Sequence, residues 1–223
     1  MNKMDFVIPA RSGSKGIPDK NIKYLSGFPL MSWSIMAALG TKLGDVYVSS
    51  DSKKYLDIAE DYNAIGVKRP KKISNGKSSS EEAILDVLKK HNLSDTICFL
   101  QCTSPWIISD DILGAYKQYK KDAPRSLIFA KEAHTYPYSY NAKKKLGISY
   151  YGNERKMRQG MSNVVEVGAY IFDKKEFIKT GNRLGSTLYK SIYTIDRELP
   201  NEIDSPMDWE INEEYFSTWC GVK

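Results

Sequence analysis

Strand-like and helix-like segments alternate from residue 4 to residue 131, and no other feature limits the possible folds of this chain so strongly. Residues 4–9 are a short apolar run ending in a glycine-rich turn. Residues 29–40 read as a helix, with Pro29 near its start, Gly40 at its end, and Leu30, Trp33 and Ala37 on one stripe. A second strand over 45–50 closes at Asp51, and a helix follows over 52–62. Ser79 and Glu82 have capping-box spacing and open a helix whose inner face carries Ile84, Val87 and Leu88. A strand over 96–101 leads to a helix capped by Ser109, with Asp110 and Asp111 in the first turn, where the helix dipole favours negative charge. Residues 126–131 form another strand. Successive strand–helix–strand units imply a mostly parallel, doubly wound α/β sheet with helices on both faces. A length of 223 residues suffices for one such domain with a full core.

The rhythm breaks at Glu132. Residues 132–163 are rich in Tyr, Lys and Asn, with weak strand signals at 148–151, and read as an inserted arm. Tyr136, Tyr138, Tyr140, Tyr150 and Tyr151 need cover, so the arm predicts a homodimer contact, the other reading being a tyrosine-lined lip on the same subunit. Strands resume over 164–172 and 190–195, and the last helix spans 206–216. The expected organisation is a single domain over residues 1–223 with an arm at 132–163.

Hydrophobic residues at 41% and charged residues at 27% are a soluble, globular balance. No apolar run reaches the roughly 18 residues of a membrane span, and Asp5 and Pro9 come too early for a signal peptide. Cys98, Cys102 and Cys220 lack CxxC spacing, which fits reduced thiols in a cytoplasmic protein. The net charge of +6 suits either nucleic acid or a polyphosphate with an acidic substrate. No RRM, KH or zinc-finger signature accompanies the basic residues, so neither a nucleic-acid nor a membrane partner is expected.

The strongest local signal is the stretch Pro9-Ala10-Arg11-Ser12-Gly13-Ser14-Lys15-Gly16-Ile17-Pro18-Asp19-Lys20-Asn21, directly after the first strand. Ligands of open parallel sheets bind at the carboxyl ends of strands. Gly13 and Gly16 let the backbone curl so that successive N–H groups face one anion, while Arg11, Lys15 and Lys20 add three positive charges. That combination suits a triphosphate whose charge grows on a leaving pyrophosphate. The glycine spacing matches neither GxxxxGK[ST] nor GxGxxG. Near the C-terminus, Glu202 and Asp204 are separated by one residue, so in an extended segment they share a side and attract a hard cation such as Mg2+. Asp208 reads as a dipole partner in the first turn of the closing helix. Asp51 is either a polar group of the site or the cap of the helix beginning at Ser52, and the cap is the preferred reading. A metal-dependent glycosyltransferase would need a mid-chain Asp-x-Asp, which is absent.

The loop resembles the N-terminal signature of the CMP-sugar-acid synthetases, cytidylyltransferases acting on sialic acids and their relatives. Four further segments are similar to that family in the same order. They are Arg69-Pro70 followed by Ser78-Ser79-Ser80; Leu100-Gln101-Cys102-Thr103-Ser104-Pro105, with Cys102 where Pro is usual; Glu166-Val167-Gly168-Ala169-Tyr170-Ile171; and Glu202-Ile203-Asp204-Ser205-Pro206-Met207-Asp208. The resemblance implies a Rossmann-like nucleotidyltransferase that transfers CMP from CTP to the anomeric hydroxyl of a 2-keto sugar acid, with Mg2+. The acceptor is sialic acid or, alternatively, 3-deoxy-manno-octulosonate, its 8-amino form, legionaminic acid or pseudaminic acid. The resemblance implies that Arg11, Lys15 and Lys20 hold the triphosphate with Ser12 and Gly13, that Asn21 lies near the ribose, and that Ala10, Arg69 and Ser80 surround the base. It places Gln101, Thr103, Ser104 and Tyr170 at the sugar, with Arg158 and Gln159 reaching from the arm toward a partner's pocket. Asp204 is the better-matched metal ligand, and Glu202 stands where the family often has Asp. Ser139 aligns with a family lysine, so either Lys143 to Lys145 substitute for it or the sugar differs from ordinary sialic acid.

Overall fold

The computed structural model describes residues 3–133, 138–141, 146–149, 163–186 and 190–219. From the N-terminus the elements are Met4–Pro9 (β1), the hairpin Tyr24–Leu25 (β2) and Phe28–Pro29 (β3), Leu30–Gly40 (α1), Val46–Ser50 (β4), Lys53–Asp61 (α2), Ile65–Lys68 (β5), Ser80–Lys90 (α3), Thr96–Leu100 (β6) and Ser109–Asp122 (α4). They continue with Ser126–Ala133 (β7), Tyr138–Asn141 (β8), Leu146–Ser149 (β9), Asn163–Asp173 (β10), Lys174–Thr180 (α5), Ser191–Thr194 (β11) and Pro206–Trp219 (α6).

Seven strands make one sheet in the order β11-β7-β10-β6-β1-β4-β5. All neighbours pair in parallel except β10, which runs antiparallel to both β6 and β7. The exception has a topological cause. An antiparallel return from β7 to β10 needs no helical crossover of the kind that a parallel one requires. The central strands β4 and β6 are buried at every residue, as expected where helices cover both faces. One core unites α1, α2, α4 and α6 with one face of the sheet, and a second lies under α3 and α5. The chain runs from β1 outward to β4 and β5, then returns to lay β6 on the other side of β1. That reversal opens a crevice at the carboxyl ends of β1, β4 and β6.

The doubly wound α/β expectation therefore holds, with one antiparallel strand added. The Ser79 hydroxyl accepts the Glu82 N–H at 3.2 Å while Glu82 accepts the Ser79 N–H at 2.8 Å, completing the expected capping box. Ser109 does not cap α4. Its hydroxyl donates to the Ala37 carbonyl at 2.8 Å, and Asp111 accepts the N–H of Ile108, the true cap position. Asp111 also pairs with Arg197 at 2.6 Å. β5 and the β2–β3 hairpin had no clear sequence signal, because Ile65-Gly66-Val67-Lys68 is a short, half-exposed edge strand and each hairpin strand has only two residues. Among the described residues no helix is long and apolar enough to cross a membrane.

Asp5 braces the end of the sheet away from the crevice. It is fully buried in β1, and its carboxylate accepts the N–H groups of Ser94 at 2.7 Å and Asp45 at 2.9 Å, joining the lead-in segments of β6 and β4. Replacing it with Ala would strand two backbone donors. Asp5→Ala is expected to destabilise the fold by about 2–3 kcal/mol, read as a lowered urea midpoint with an unchanged slope.

Candidate functional site

The loop after β1 closes onto the acidic segment. The Lys20 ammonium donates to the Ile203 carbonyl at 2.5 Å and meets the Asp204 carboxylate at 3.1 Å. Gly16 faces the same backbone, since a Cβ built there would stand 2.5 Å from the Asp204 carbonyl oxygen. Gly13 has φ +73°, the left-handed conformation that glycine adopts without strain. The two segments expected to share a site thus do meet.

Three other ties hold the acidic segment in place. The Ile203 N–H donates to the Thr103 carbonyl at 2.9 Å. Lys131, at the foot of the arm, donates to the Leu199 and Pro200 carbonyls, both at 3.0 Å. Asp208 accepts from the Ser205 hydroxyl at 2.6 Å and the Ser205 N–H at 2.7 Å, which hold its pKa below the ordinary carboxylate value and match its reading as a helix-start group.

The expected pair of metal ligands is divided. Glu202 accepts the Gly168 N–H at 2.6 Å, the Ser104 hydroxyl at 3.1 Å and the Thr103 hydroxyl at 3.3 Å. Its carboxylate is turned into the protein, where it welds β10 to the segment after β6. Asp204 has a side chain 76% exposed. Among the described residues no three potential ligands cluster tightly enough to hold a metal by themselves. One exposed carboxylate beside the basic glycine loop fits magnesium, which keeps waters and takes one or two carboxylates together with substrate phosphates. Asp204 has the exposed carboxylate that such an ion takes, whereas the Glu202 carboxylate is already engaged by Gly168, Ser104 and Thr103.

A cleft of about 250 Å³ opens at the carboxyl ends of β1, β5 and β6, lined by Arg11, Ser14, Lys20, Asn21, Arg69, Ser78 to Ser80, Gln101 and Thr103 among others. Arg69 is 4% exposed, and its Nε and one terminal nitrogen are buried with no hydrogen-bond partner among the described residues. Burial lowers its pKa, and the nearby Asp51 carboxylate opposes that shift. Asn21 lines the cleft and also donates to the Arg11 carbonyl at 3.0 Å, bracing the loop. Lys15 is exposed and packs against Gly76 rather than lining the cleft. Ala10 is fully buried with its N–H on the Ser49 carbonyl, 2.9 Å away. Ser12 points away from the cleft, with its N–H and hydroxyl both on Asp51. Asp51 is thus a loop anchor and not the cap of α2, which lacks a side-chain cap. Its place at the end of a central parallel strand was the signal that could have identified it.

On the far side of the cleft, β10 carries a register shift between Glu166 and Tyr170. Gly168 lies within it, and a Cβ there would collide with the Gln101 side chain at 2.8 Å. Gln101 is therefore held at the cleft by backbone contact. Tyr170 does not line the cleft. It is 2% exposed in the core beneath α3 and α5, with Arg183 stacked 4.4 Å over its ring and paired to Glu81. The alternation of strand faces sends Tyr170 and Phe172 to the same side, and that side is core. Cys102 lines the cleft as a buried thiol whose pKa burial pushes up to about 12. Arg158, Gln159 and Lys143 to Lys145 lie outside the described residues.

Comparison with known proteins agrees with this geometry. The cytidylyltransferase family profile matches residues 6–175. An N-acylneuraminate cytidylyltransferase A of Danio rerio is 32% identical over 93% of this chain and 49% of its own length. An N-acylneuraminate cytidylyltransferase of Escherichia coli is 30% identical over 94% of this chain and 51% of its own. The chain thus spans about half the length of these curated relatives. A pseudaminic acid cytidylyltransferase of Campylobacter jejuni is 31% identical over 77% of this chain and 68% of its own. The solved structure of a CMP:2-keto-3-deoxy-manno-octonic acid synthetase complexed with CTP superposes with a TM-score of 0.73 at 16% identity, covering 97% of this chain and 99% of that one, which establishes a shared fold. Sequence match, sheet topology and cleft position converge: the chain belongs to the cytidylyltransferase family.

Proposed function

We propose that this protein transfers CMP from CTP to the anomeric hydroxyl of a 2-keto sugar acid, releasing pyrophosphate. One observation carries the reading. A single cleft gathers Arg11, Lys20 and Asn21 from the glycine loop, Ser80 from the start of α3 and Gln101 from the end of β6 around the buried, half-unpartnered guanidinium of Arg69. Buried N–H groups without partners cost free energy, and an anionic or carbonyl-bearing ligand removes that cost. The named activities of the relatives support the reaction class.

In this reading the hydroxyl attacks the α-phosphorus in line, and catalysis is mostly positioning and charge stabilisation. Arg11 and Lys20 hold the triphosphate, while Lys15 would have to swing from Gly76 to reach it. A magnesium ion held by Asp204 and the nucleotide phosphates would neutralise the non-bridging oxygens. Glu202 fixes Gly168 and Ser104, and through Gly168 it sets the position of Gln101 at the acceptor. The proposal includes a homodimer in which the arm carries Arg158 and Gln159 toward the partner's cleft. Exposed Val164 and Val165 at the start of β10 support that contact.

Pyrophosphate release with CTP and Mg2+ should appear with one acid of a panel comprising sialic, legionaminic, pseudaminic, 3-deoxy-manno-octulosonic and 8-amino-3-deoxy-manno-octulosonic acids. UTP should be poorer by roughly 100-fold or more, because a site built to hydrogen-bond one ring edge rejects the other. Silence across the panel would contradict the reading. Asp204→Ala should lower kcat by about 100-fold or more, while the loss of its contact with Lys20 lowers the melting temperature by no more than a few degrees. Glu202→Ala should also cost about 1–3 kcal/mol of stability, because it strands the Gly168 N–H. Arg69→Ala should raise the KM for CTP by about tenfold or more in steady-state kinetics.

A further inference from the structure

Asp51 stands just past β4 and is in direct contact with the glycine loop. One carboxylate oxygen accepts the Ser12 N–H at 2.8 Å, and the other accepts the Ser12 hydroxyl at 2.7 Å. Burial opposes ionisation of Asp51, but these two donors from Ser12 outweigh it and hold the group below its ordinary pKa. Asp51 is therefore an anion at neutral pH, beside the cleft proposed above as a triphosphate site. By Coulomb's law alone, a fixed anion there repels the nucleotide. Its presence calls for a compensating role, and the contacts supply one. With the Ser12 N–H and hydroxyl turned to Asp51, the neighbouring Arg11 and Ser14 face the cleft. The same carboxylate attracts the buried Arg69 guanidinium, whose desolvation it offsets.

Building on the proposed function, we propose that Asp51 is a positioning residue for the nucleotide. It clamps the loop through Ser12, so that Arg11 and Ser14 are set before CTP arrives, and it balances Arg69 in the empty site. Preorganised donors bind more tightly than donors that must first be ordered.

Charge and clamp predict opposite signs, which makes the test sharp. The dissociation constant for CTP with Mg2+ is measured by calorimetry for the wild type, Asp51→Ala, Asp51→Asn, Ser12→Ala and the Asp51→Ala/Ser12→Ala double variant, alongside melting temperatures and the KM of the acceptor acid. The clamp predicts that Asp51→Ala weakens CTP binding by about tenfold or more, with the acceptor KM little changed. Asp51→Asn should recover most of the loss, because its amide oxygen still accepts the Ser12 N–H and its NH2 group can donate to the Ser12 hydroxyl. The double variant should fall within about threefold of Asp51→Ala, since both changes break one clamp. CTP binding that stays equal or tightens in both Asp51 variants would mean Asp51 acts only as a charge, overturning the proposal. Asp51→Asn as weak as Asp51→Ala would overturn it too. If instead the wild type does not bind CTP, the functional reading itself fails, whatever the variants do.

Discussion

The contact of Gly16 and Lys20 with the backbone at Ile203 and Asp204 is the junction on which the cleft depends. It joins the first loop to a segment more than 180 residues later in the chain. Two physical conditions permit it. Gly16 has no Cβ to collide with the Asp204 carbonyl, and the Lys20 side chain, only 12% exposed, finds both a carbonyl and a carboxylate to offset its desolvation. Without this junction the loop would be a basic turn on the surface and Asp204 one of many exposed acids.

A second junction complements it from β10. Because the arm returns the chain antiparallel beside β6, the register shift at Gly168 falls at the carboxyl end of β6, where the crevice lies. Gly168 accepts the Gln101 N–H at 2.7 Å and donates to Glu202 at 2.6 Å. One glycine therefore sets both Gln101, at the cleft, and the carboxylate that anchors the acidic segment. Lys131 and Thr103 hold the same segment from its other flanks, so its placement is over-determined by packing. Such rigidity suits a reaction in which alignment does most of the work.

Much of this was readable from one dimension. The strand–helix alternation, the glycine loop after β1, the capping box at Ser79 and the acidic segment before α6 were all visible, because each is a local pattern of propensity or spacing. Elsewhere local patterns misled. Ser109 and Asp51 have the composition of helix caps, yet Ser109 bonds to α1 and Asp51 to the loop after β1. Tyr170 obeys the alternation of strand faces, but alternation gives only parity. It does not say whether a face looks into a cleft or into a core.

The amino-acid sequence alone determined the order of the elements, the α/β class, the basic glycine loop after β1 and the family resemblance, since these rest on neighbouring residues and motif order. Only the tertiary structure decided which of the two carboxylates is tied down and which stays exposed. Glu202 and Asp204 are chemically near-equivalent and two positions apart, but donors from Gly168, Ser104 and Thr103, brought there from distant strands, satisfy Glu202 and leave Asp204 to Lys20 and solvent. Which donors reach which acceptor is settled by how the layers pack, and no local rule of spacing encodes it.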